Sequence, residues 1–130
     1  MEKKLKYTFG EFTIYSNYIV AVMKEGVTIS NEKYNAIVDI TKKYYGDNKP
    51  FVYVTHRKNS YAINPKVYLE TSKIDNLLGF AVVTSEKIMI DNSDIEKLFL
   101  QKPFEIFSTL EDAYKWANKL CENKSDESLT

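Results

Sequence analysis

At 130 residues, with 44% hydrophobic and 28% charged side chains, the chain reads as one globular domain able to bury roughly two thirds of the surface its unfolded form exposes. Its 18 basic and 18 acidic residues cancel, which removes the broad positive field of a general nucleic-acid binder and leaves any charged partner to be met locally. Cys121 is alone and forms no internal disulfide, no apolar run approaches the roughly 20 residues of a membrane span, and the start Met-Glu-Lys-Lys-Leu-Lys lacks the apolar core of a secretion signal, so a cytoplasmic protein is expected.

Aromatic and β-branched residues open the chain. Lys6-Tyr7-Thr8-Phe9, Phe12-Thr13-Ile14-Tyr15 and Tyr18-Ile19-Val20-Ala21-Val22-Met23 predict a β-meander with turns at Gly10 and Ser16-Asn17. Lys3, Lys4 and Lys6 suit an edge strand guarded against pairing with another chain. From Ser30 the period changes. Tyr34, Ile37, Val38, Thr41, Tyr44 and Tyr45 fall on one helical face, with Ser30 as N-cap and Gly46 as stop.

After Pro50 the run Phe51 to Thr55 predicts a central strand, followed by a polar loop. Asn64-Pro65 then predicts the start of a second helix reaching about Asn76. Gly79-Phe80-Ala81-Val82-Val83-Thr84 is a near-continuous apolar run, as expected of an inner strand covered on both faces of a parallel sheet. Ile88, Ile95, Leu98 and Phe99 give a third helical stripe, kinked at Asp91-Asn92-Ser93-Asp94 and ended by Pro103. Phe104-Glu105-Ile106-Phe107 is a short strand. Ser108-Thr109-Leu110-Glu111 reads as a capping box for a helix whose apolar face is Leu110, Ala113, Tyr114, Ala117, Leu120 and Cys121. The expected organisation is an α/β domain over residues 1–123, a β-meander followed by repeated strand-helix units in a mixed, mostly parallel sheet with packed helices. Residues 124–130 are expected to be a mobile tail.

Open α/β sheets bind partners beyond the carboxyl ends of their parallel strands, which points to His56, Arg57, Lys58, Asn59, Ser60 and Tyr61. Arg57 is the one arginine among eighteen basic residues, and His56 the one histidine. Catalysis lacks its parts: His56 and Ser60 share a loop, but there is no Gly-x-Ser-x-Gly elbow and no glycine-rich turn for an oxyanion. No metal site is expected from one histidine and one distant cysteine, and Asp91-Asn92-Ser93-Asp94 lacks the glycine and glutamate of a calcium loop. No phosphate-cradling loop is present and no cofactor is expected. The ten tyrosines and seven phenylalanines fall mostly on core faces, so base stacking is not needed to explain them.

The order of elements, the run Lys49-Pro50-Phe51-Val52-Tyr53-Val54-Thr55 leading to Arg57 and Asn59-Ser60-Tyr61, and the close from Pro103-Phe104-Glu105-Ile106-Phe107 through Glu111-Asp112-Ala113 to Trp116 resemble the small bacterial STAS-like, or SpoIIAA-like, proteins. The resemblance spans roughly Gly10 to Leu120 and is one of pattern and topology. It implies a non-enzymatic domain that docks on a partner protein and is switched by phosphorylation of a loop hydroxyl, here Ser60, although Asn59 stands where those proteins carry aspartate and no glycine follows. Phosphate on Ser60 would set about −1.5 to −2 charge beside Arg57 and Lys58. Under this reading Arg57→Ala weakens partner capture and leaves thermal stability nearly unchanged. Some relatives resemble CRAL-TRIO lipid carriers. They imply the alternative of a small apolar or amphipathic ligand held between helix and sheet, in a cavity lined by residues such as Tyr68, Leu69 and Leu77.

Overall fold

The computed structural model of the chain describes residues 2–58, 62–63, 71, 73–84 and 102–129, with side chains other than those of 62–63 and 123–129. Three antiparallel strands open it: β1 (Lys3–Tyr7), β2 (Gly10–Ile14) and β3 (Tyr18–Met23). The first turn is Thr8-Phe9, with Tyr7 opposite Gly10, and not Gly10 itself. Gly10 is instead the first residue of β2, where a Cβ would stand 2.8 Å from the Val22 carbonyl oxygen, so the missing side chain serves close strand approach. In β2, Gly10, Phe12 and Ile14 are buried while Glu11 and Thr13 are not, the period of a strand covered on one face.

A short strand β4 (Thr28–Ile29), absent from the sequence reading, leads into helix α1 (Asn31–Tyr45). The Ser30 hydroxyl accepts a hydrogen bond from the Lys33 amide at 3.4 Å. At the other end Gly46 adopts φ 62°, which an L side chain resists, and its amide donates to the Lys42 carbonyl at 3.0 Å. Both expected ends of this helix are observed. Its buried residues are Ile37, Ile40, Thr41 and Tyr45, so the buried stripe is turned slightly from the expected one.

The chain then forms β5 (Phe51–His56), the two-residue β6 (Ala62–Ile63), β7 (Leu77–Val83), β8 (Phe104–Phe107) and helix α2 (Leu110–Leu129). The main sheet has the order β1-β2-β3-β5-β7-β8, and β3, β5, β7 and β8 run parallel. β4 and β6 pair separately, also in parallel. The inner position expected for β7 is observed, but the strand begins two residues before Gly79 because a register irregularity between Phe51 and Val52 admits an extra residue opposite β5. Asn76, expected to end the second helix, lies in a turn. The rest of that helix lies mostly outside the described residues, and so does the expected third helix.

Alternation sends successive residues of β5 to opposite faces, and each face is covered by a helix. Phe12, Ile14, Ile19, Ala21, Met23, Phe51 and Leu77 pack with Ile37, Ile40 and Tyr45 of α1. Val20, Val52, Val54, Ala81 and Val83 pack with Ala113, Ala117 and Cys121 of α2. Val52, Val54 and Ala81 have no exposed surface at all. Complete burial of a valine is worth about 1.5–3 kcal/mol, so these central strands carry much of the fold.

The expected apolar face of α2 is the observed one. Its cap is displaced by one residue, since the Thr109 hydroxyl, and not that of Ser108, accepts from the Asp112 amide at 3.2 Å. The helix also runs through residues 124–129, the stretch set apart above as a tail. No glycine or proline interrupts that stretch, and apolar periodicity is not required to extend a helix already nucleated.

Candidate functional site at the strand ends

β5 ends at His56, and its ladder continues one residue further, where the Arg57 amide donates to the Val83 carbonyl at 2.9 Å. Beside it the Thr84 amide donates to the Phe107 carbonyl at 2.9 Å, so the carboxyl ends of β5, β7 and β8 form one bonded rim. The Lys58 amide donates back to the His56 carbonyl at 3.0 Å, a tight turn centred on Arg57 that leads the chain off the sheet. Four residues later β6 pairs with β4. The candidate segment is thus fastened to backbone on both sides.

Burial divides its residues sharply. Arg57 is only 9% exposed, with its Nε fully enclosed, whereas Lys58 is exposed and His56 half-buried. The expected near-neutral effect of Arg57→Ala on stability is therefore corrected: a buried guanidinium and its stem contribute packing as well as charge. His56 shares the α2-side parity of Val52 and Val54. Burial first, and then the Lys58 ammonium, holds its imidazole below the ordinary value, which keeps it neutral at neutral pH. Asn59, Ser60 and Tyr61 lie outside the described residues, as do Tyr68 and Leu69.

Thr84, expected as the last residue of the inner strand and not as part of the site, lies just past β7 on this rim. It is 2% exposed and sits beside the Arg57 backbone. The residue following an apolar inner strand marks the same sheet end as the residue following its neighbour, and that was the available signal. Leu77, expected to line a cavity, is 1% exposed and packed into the α1-side core. An open groove of 440 Å³ does lie along α1, between Tyr34, Val38 and Lys42 on one side and Lys73 and Ile74 on the other. Tyr34 and Val38 belong to the expected helical face and are half-buried, because the helical period marks a direction without fixing how wide the covered stripe is.

Among the described residues, no group of three histidine, cysteine or acidic side chains could hold a metal, and no helix is long and apolar enough to cross a membrane. Tyr45 stacks on Phe51 at 4.5 Å within the core, so that tyrosine is packing.

A mixed sheet with four parallel strands, a helix on each face and a bonded rim at the parallel strands' carboxyl ends defines an α/β sandwich. No protein-family model matches the chain, and no curated protein matches it. The chain is similar to the crystal structure of an uncharacterised protein of the DUF3478 family from Shewanella loihica PV-4, described as having a SpoIIAA-like fold. The TM-score is 0.53 at 13% sequence identity, covering 90% of this chain and 92% of that one. The chain has a SpoIIAA-like fold, as its pattern of elements led one to expect.

Proposed function

We propose that the protein is a non-enzymatic, SpoIIAA-like docking module that meets a partner protein at the strand-end rim, through the segment His56 to Tyr61. The observation that carries this reading is the contrast between Arg57, buried and bonded into the ladder, and Lys58, exposed one residue later where the chain leaves the sheet. A rigid base under an exposed cation is a preorganised contact, which reduces the ordering cost of association. The reading is one of binding because the sequence of the segment carries charged and hydrogen-bonding residue types and has no Gly-x-Ser-x-Gly elbow or glycine-rich turn. Phosphorylation of Ser60 would then act as the switch, placing negative charge beside Lys58.

The test is site-specific photo-crosslinking in the cells that make the protein, with the reactive group at Lys58 or, as control, at Glu122 on α2. One protein captured from position 58 and absent from position 122 supports the reading. Identical capture profiles at both positions overturn it. Native mass spectrometry of the same material separates the carrier alternative, since a copurifying apolar mass without a protein partner would move the function to ligand transport.

A further inference from the structure

We infer that β1 is a docking edge for an extended acidic peptide, which joins the sheet as one more antiparallel strand. Tyr7 and Gly10 face each other across a two-residue turn, so they form the hydrogen-bonded pair of a tight hairpin, and Leu5 with Phe12 and Lys3 with Ile14 repeat it. Alternation then turns the amide and carbonyl groups of Lys4 and Lys6 away from β2. Among the described residues no strand pairs with that outer edge. Lys3, Lys4, Lys6 and Tyr7 are exposed and Leu5 is half-buried, so neither face of β1 is closed over.

The side chains choose the occupant. A second copy of β1, paired antiparallel about Leu5, would set Lys4 opposite Lys6 of its mate, and like charges directly opposed disfavour pairing. A strand with acids opposite Lys4 and Lys6 meets attraction at both positions. Lysines outnumber the two acids nearby, Glu2 and Glu11, the latter opposite Lys6. On the other face Leu5 and Tyr7 offer apolar surface. Tyr7 is 38% exposed, and its ring is backed by Phe9 at 5.6 Å and Phe12 at 5.7 Å. The fitting ligand is therefore a segment of alternating acidic and apolar residues, bound by main-chain hydrogen bonds and selected by charge.

The experiment uses the full chain and a capped peptide of alternating glutamate and valine, with a lysine-valine peptide as control, read by amide hydrogen exchange. The acidic peptide should slow exchange at the Lys4 and Lys6 amides about tenfold and leave Leu5, already bonded to β2, little changed. The basic peptide should do nothing. The double variant Lys4→Glu/Lys6→Glu should lose about tenfold in affinity with a small fall in melting temperature, since the change at position 6 sets a like charge opposite Glu11. Lys4→Pro, which removes an outward amide and keeps the hairpin bonds, should weaken binding as well. No slowing at saturating acidic peptide, slowing centred on Lys58 instead of β1, undiminished binding by the charge-reversed variant, or dimerisation of the free protein through β1 would each overturn the inference.

Discussion

The hydroxyl of Tyr45, the last residue of α1, lies 2.7 Å from the backbone carbonyl oxygen of Tyr15, just beyond β2. It lies equally close to the Tyr18 carbonyl, so one phenolic proton is shared between two acceptors at the β2–β3 connection. The ring lies flat on Phe51, 4° from parallel, and burial pushes the phenol far above the usual tyrosine range. Tyr45→Phe keeps the stack and deletes the tie. It should cost about 1–2 kcal/mol, because the Tyr15 carbonyl is left inside without this partner. Urea unfolding should show a lower midpoint at an unchanged slope.

Gly79 makes room for α2. A Cβ there would stand 2.8 Å from both Leu120 Cδ1 and Trp116 Cη2, closer than either atom tolerates. Gly79→Ala should therefore destabilise by about 1–3 kcal/mol through overpacking. Adding Leu120→Ala should give a double variant less destabilised than the sum of the two single changes, since it removes one of the two side chains that the new methyl meets.

Arg57 and Lys58 should separate stability from recognition. Arg57→Ala should lower the melting temperature measurably, with a loss of about 1–3 kcal/mol, because it removes a buried side chain from the strand-end rim. Lys58→Glu should leave the melting curve within about 0.5 kcal/mol of the original while reducing partner capture. Capture unaffected by Lys58→Glu would remove the strand-end segment from the docking face.

The pH dependence has two arms of opposite sign. His56 titrates below its ordinary 6.5 in the folded chain, so the stability linked to it is fully present above that value and is lost as pH falls through the folded one. His56→Gln should flatten the acid side of the stability profile, and the slope is shallow because the ring is partly solvated. Tyr114 is pushed up to about 12, by burial first and then by Tyr15 and Tyr18 beside it. Its contribution is complete below the unfolded value of 10.0 and disappears as pH rises toward the folded one. Phenolate absorbance should show Tyr45 and Tyr114 ionising last, together with unfolding.

Much of this fold could be read from residue patterns alone. Ser30 and Gly46 announce α1, the period from Leu110 to Cys121 gives α2 its buried face, and the unbroken apolar run around Phe80 announces an inner strand. The turn at Thr8-Phe9 was hidden because Gly10 suggests a turn by type, while its actual duty is to let two backbones approach. β4 and β6 are too short for any period to register. The candidate segment could be located from the strand before it, but the burial of Arg57 could not. Residue type gives a cation, and only its 9% exposure in the folded chain shows that this one is held inside.

The surface covered by α2 has a consequence for biosynthesis. Val20, Val52, Val54, Ala81 and Val83 come from strands spread along the chain, yet the helix that shields them is made after β8. A ribosome releasing residues in order would leave these side chains without α2 until that helix leaves the exit tunnel, even with α1 already seated opposite. Nascent chains stalled before Leu110 should therefore be the species most attractive to chaperones and most prone to stick to one another.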